Sequence, residues 1–144
     1  MRHVLNCCTC SAQLSNAVSI VLRMDMPSDN PWDTDPAYDT DSEDFGGVGP
    51  PLSEPGVAIK SDVPISRGSN PVKPIPLDFT PQFWLNPIDV VHAVENVADE
   101  SRLGGCCGSN GLYGLNQLCR QCGAEVGTLM EDCWTANVFI PQPC

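Results

Sequence analysis

The sequence predicts a mostly β domain with one short helix, interrupted by a long Pro-rich, acidic insertion. Three observations carry that expectation. Two C-x-x-C turns stand far apart in the 144-residue chain, short β-branched and aromatic runs flank them, and 12 of the 14 prolines fall between Pro27 and Pro87. Composition therefore divides the chain into residues 1–24, residues 25–78 and residues 79–144, with the first and last parts forming one domain around the insertion. The formal charge of -11 repels phosphate backbones and argues against a nucleic-acid partner. No apolar run approaches the roughly 20 residues that span a bilayer.

Taken in order, His3-Val4-Leu5 reads as a short strand leading into Cys7. The amino-terminal apolar stretch is interrupted by Asn6, Cys7, Cys8 and Cys10 before it reaches the length of a secretory core, so the thiols are expected in a reducing, cytoplasmic setting. From Asp25 to Asp44 the chain carries eight acidic residues, no Lys or Arg, and Pro27, Pro31 and Pro36. Such a mixture buries too little apolar surface to offset the entropy of ordering, and it reads as an extended acidic linker. Its DTDPAYDTDSED run lacks the turn glycine and distal glutamate of a calcium loop. Trp32, Tyr38 and Phe45 in and around it have the character of anchors in an acidic binding segment.

Pro64 to Pro81 continues in extended, polyproline-like style. Phe79, Phe83, Trp84 and Leu85 supply core packing where the chain returns. Asn86-Pro87 then has the form of a helix N-cap with proline in the first helical position, and Asp89 complements the dipole. The predicted short helix places Ile88, Val91, Val94, Val97 and Ala98 on one surface and ends by Gly104-Gly105; a strand over Ile88–Val94 is the alternative reading of the same valines. Gly108, Gly111 and Gly114 read as turns, since no P-loop lysine follows them. Trp134 to Ile140 reads as a terminal strand ended by Pro141 and Pro143.

Cysteine is the informative residue, with nine copies, an odd number that leaves at least one unpaired in a monomer. Cys7 and Cys10 form one C-x-x-C turn, and Cys119 and Cys122, followed by Gly123, form another. Such turns aim two thiolates at one ion, and two of them complete a tetrahedral shell. A local set of Cys107, Cys119, Cys122 and Cys133 competes for the same role, and spacing alone leaves both sets open. Cys106, Cys107 and Cys133 also admit a second site, a disulfide or free thiols, while Cys8 and Cys144 stand apart. His92 is a lone histidine whose plainest reading is structural.

The two turns, with Val4-Leu5 before the first and Ala124-Glu125-Val126 after the second, resemble a zinc ribbon, in which two knuckles on β-hairpins clamp one zinc. The departures are the long insertion and Ser11 standing where a knuckle glycine is usual. The head RHVLNCCTC and tail GCCGSNGLYGLNQLCRQCGAEVG are also similar to a bacterial cysteine-rich family that carries no known activity. The ribbon resemblance implies zinc on Cys7, Cys10, Cys119 and Cys122. With His3 and His92 the two histidines and no Ser/His/Asp arrangement in view, the expected role is a zinc-stabilised protein-binding or adaptor protein. The alternative is a redox or electron-transfer protein holding iron in the same four thiolates.

Overall fold

A computed structural model of the chain describes residues 1–25, 51–65, 77, 79–104, 108–109, 111, 115–131 and 137–144. The linker reading of Asp25 to Asp44 falls, beyond Asp25 itself, outside the described residues, as do Trp32, Tyr38, Phe45 and Trp134. Among the described residues the fold is mostly β: β1 (Arg2–His3), β2 (Val18–Leu22), β3 (Val57–Ser61), β4 (Gln82–Leu85), β5 (Val94–Asn96), β6 (Gln117–Cys119), β7 (Glu125–Met130) and β8 (Val138–Pro141). They form one curled sheet in the order β1-β2-β3-β4-β8-β7-β6-β5. Every neighbouring pair is antiparallel except β2 and β3, which run parallel.

Strand alternation explains why this sheet carries a core on each face. Ala58, Leu85 and Phe139 point to one side, where they pack with Leu14, Val18, Val90, Val94 and Cys119. Their chain neighbours Ile59, Trp84 and Ile140 point to the other, where Leu52, Ile65, Leu77 and Met130 cover them. Polar side chains tie the covering loops down. The buried Gln82 accepts from the Ile65 N–H at 3.0 Å and the Trp84 Nε1–H at 3.1 Å while donating to the Leu77 carbonyl at 2.6 Å. Asn116, fully buried, brackets Leu129 by donating to its carbonyl at 2.9 Å and accepting from its N–H at 2.7 Å.

Two expectations change. Residues 25–78 were expected to run as an extended insertion, yet β3 lies inside that range, with β2 on one side and β4 on the other. Its Val-Ala-Ile run carries enough β-branched, apolar surface to hold a central place despite the prolines around it. The expected helix after Asn86 is a single 3₁₀ turn, Pro87–Asp89. The cap forms as read, with the Asn86 side-chain oxygen accepting from the Ile88 N–H at 3.0 Å. The helix stops because the valine-rich continuation gains more by pairing: Val94 sits opposite Cys119 and Asn96 opposite Gln117 in the β5–β6 ladder. A second capped 3₁₀ turn, Glu100–Arg102, follows, and Arg102 pairs with Glu125 at 2.6 Å.

Asp89 has a different task from the dipole role read in the sequence. Buried, it accepts from the Gly56 N–H at 2.8 Å and the Asn16 side-chain amide at 3.3 Å, and its carbonyl accepts the Asn16 N–H at 2.8 Å. It thereby joins the chain before β2, the turn before β3 and the 3₁₀ turn before β5.

Candidate metal centre

Each C-x-x-C segment closes a tight hairpin, and the two hairpins share one hydrogen-bond pattern. In the first, the Cys7 N–H donates to Ala12 O at 2.8 Å and the Ser11 N–H donates to Cys7 O at 2.9 Å. In the second, the Cys119 N–H donates to Ala124 O and the Gly123 N–H to Cys119 O, both at 2.8 Å. Both turns need a left-handed residue just after the second cysteine. Gly123 supplies it at φ 76° without cost, and Ser11 adopts φ 65° in the matching place, so the missing glycine does not prevent the turn. An antiparallel bridge between Asn6 and Gln13 continues the first hairpin, and the β6–β7 ladder continues the second. Arg120 fastens the second turn to β5 through its N–H on Ala93 O at 3.0 Å and its Nε on Val94 O at 2.9 Å.

The curl of the sheet brings the hairpins face to face. The sulfurs of Cys7, Cys10, Cys119 and Cys122 all lie within 4.8 Å of one another. Cys7 Sγ is 3.6 Å from Cys122 Sγ, and Cys10 Sγ is 3.7 Å from Cys119 Sγ, each contact crossing between hairpins. Four sulfurs about 2.3 Å from a tetrahedral zinc stand about 3.8 Å apart, so the donor set fits such an ion; disulfide sulfurs would be about 2.05 Å apart. Cys7 and Cys119 are buried, Cys10 is half-buried and Cys122 is exposed.

Electrostatics within the cluster are uneven. The Cys10 and Thr9 amide N–H groups hold the Cys7 thiol down at about 6, the Thr9 N–H lying 3.4 Å from its sulfur. Against the pull of the Ala12 amide, burial and the sulfurs of Cys122, Cys119 and Cys7 push Cys10 up to about 12. Cys122 is also raised: the Ala124 amide pulls it down, but burial and the Cys7 and Cys119 sulfurs prevail. Cys7 thus favours the thiolate, while Cys10 and Cys122 favour the protonated thiol.

Of the rival set, Cys119 and Cys122 are in this cluster, while Cys107 and Cys133 lie outside the described residues, as does Cys106. His92 is exposed and is not a member of the four-sulfur cluster. Sequence reasoning missed one bond near the site. Cys8, inside the first hairpin, forms a disulfide with Cys144 across a sequence separation of 136 and a Cα–Cα distance of 5.8 Å. The tail that brings Cys144 there is pinned to the second hairpin's strand by the Gln142 N–H on Val126 O at 2.9 Å. Spacing offered no signal for this pair, and the expectation that the thiols stay reduced pointed away from it. Comparison of the chain with protein-family models, with curated proteins and with solved structures finds no match to any of them. Among the described residues, no helix is long and apolar enough to cross a membrane.

Proposed function

We propose that the chain is a zinc-stabilised protein-binding or adaptor protein without catalytic activity, its zinc held by Cys7, Cys10, Cys119 and Cys122. The observation that supports this reading is the compact set of four sulfurs presented by two matching hairpins. Four thiolates close the coordination shell and leave no position for a substrate or an activated water, which is the arrangement of structural zinc. The ion would supply a crosslink between the two halves of the domain, and the amides that face Cys7 would spread part of the negative charge of the thiolates. What remains for function is a chain of formal charge -11 that carries exposed apolar side chains at Ile88 and Val91.

Elemental analysis of the untagged protein, with its visible spectrum, tests the metal. One equivalent of zinc in colourless protein is expected. Stoichiometric iron with visible absorption would replace this reading with the redox or electron-transfer alternative.

A further inference from the structure

The face of the sheet that carries Cys119 is hollowed beside the second hairpin into a cleft of 460 Å³. That volume lies in the range that takes a compact ligand or a few side chains. Its floor is apolar: Val90 and Val94 are buried there as part of the core. The apolar surface open to solvent is at the rim, where Ile88, in the 3₁₀ turn after Asn86, and Val91, just beyond that turn, are 59% and 58% exposed. Aliphatic side chains held out beside a concave apolar floor gain nothing from the fold and mark a surface that closes on something else.

Charge narrows what that is. Three charged residues line the cleft: Glu95, Glu131 and Arg120. Among the described residues the one ion pair is Arg102–Glu125, so Glu95 and Glu131 form no ion pair there, and Arg120 directs its Nε to the Val94 carbonyl. Burial alone holds the Glu131 carboxyl above its ordinary range, with no counter-charge to pull it back. The chain's formal charge of -11 draws a basic partner toward it.

We propose that this cleft is the docking surface for a basic segment of a protein partner, which seats one apolar side chain against Ile88 and Val91 and sets a lysine or arginine beside Glu95 and Glu131. The inference rests on the protein-binding part of the function proposed above and names its surface. The test is a nuclear magnetic resonance titration of the full-length, metal-loaded chain with a short synthetic peptide that alternates lysine with leucine. The same peptide with glutamate for lysine serves as the control. Amide shifts should cluster at Val91, Val94, Glu95 and Leu129, and the glutamate peptide should cause none. Glu95→Gln with Glu131→Gln should weaken binding roughly tenfold, whereas Glu54→Gln with Asp62→Asn, an equal loss of charge at exposed positions outside the cleft, should change it less than about twofold.

Equal weakening by both pairs would reduce the attraction to overall charge and overturn the proposal. Peptide shifts elsewhere on the folded protein would overturn the cleft while leaving a protein-binding role intact. Concentration-dependent shifts at the cleft without peptide, with a matching rise in mass, would assign it to a second copy of the chain instead. Metal content measured on the same samples separates any of these results from failure of the zinc reading.

Discussion

Ser11 and Gly123 hold equivalent places in the two hairpins at φ 65° and φ 76°, which makes them a matched pair for measuring what the left-handed turn costs. Ser11→Gly should raise stability by about 1 kcal/mol, and Gly123→Ala should lower it by about 1 kcal/mol. A Cβ at Gly123 meets nothing within 4 Å, so conformation alone is at stake there; chemical denaturation of the metal-loaded variants reads both. The thiols give a second prediction. With Cys10 pushed up to about 12 and Cys122 also raised, both keep their protons in metal-free protein at pH 7, and the metal must displace them. Affinity should therefore climb as pH rises toward those values and fall in acid. The fall should steepen below about pH 6, where Cys7 takes up its own proton. An indicator dye in weak buffer should record protons leaving Cys10 and Cys122 on zinc addition at pH 7. Zinc binding without proton release would show that the thiolates are already formed.

Among the elements, the C-x-x-C turns were legible because their chemistry is local: a few residues fix both the turn and the direction of the sulfurs. The Asn86 cap and the terminal strand were legible for the same reason. The valines after Pro87 were not, because helix and strand differ there by whether Cys119 and Gln117 arrive alongside, and that depends on residues over 20 positions away. β3 was hidden by its proline-rich surroundings, although its own Val57-Ala58-Ile59 run reads as strand. Asp89 was placed correctly in a first turn but given a local task, when its carboxylate serves Gly56 and Asn16. Asp89→Ala should leave the Gly56 N–H without its acceptor and cost about 2 to 3 kcal/mol in denaturant unfolding. Gly127→Ala should do more harm, because its Cβ would stand 2.5 Å from the Phe139 ring and 2.7 Å from Ile140 O, and the strand backbone cannot yield. A Gly127→Ala protein of unchanged stability would mean that β7 and β8 are not packed as described.

For the whole molecule, the ends of the chain are joined in three ways. The sheet connects β1 to β8 through β2, β3 and β4, the cysteine cluster joins the two hairpins, and the Cys8–Cys144 bond repeats that connection. The strand ladders and the disulfide share with the cluster the task of closing the long loop. Chelation should lower the thermal midpoint yet leave a cooperative transition. Chelated Cys144→Ser protein loses both crosslinks, and its transition should broaden or vanish, since a bond spanning 136 positions contributes up to about 5 kcal/mol through loop closure. A sharp, unshifted transition in that metal-free variant would show that the sheet suffices. The most direct test of the central claim is the metal content of the untagged wild type beside that of Cys7→Ser with Cys10→Ser, each checked for native-like folding. One equivalent in the wild type and none in the folded double variant is the expected result. A full equivalent in both would contradict the two-hairpin site and move the metal to Cys119 and Cys122 with Cys107 and Cys133.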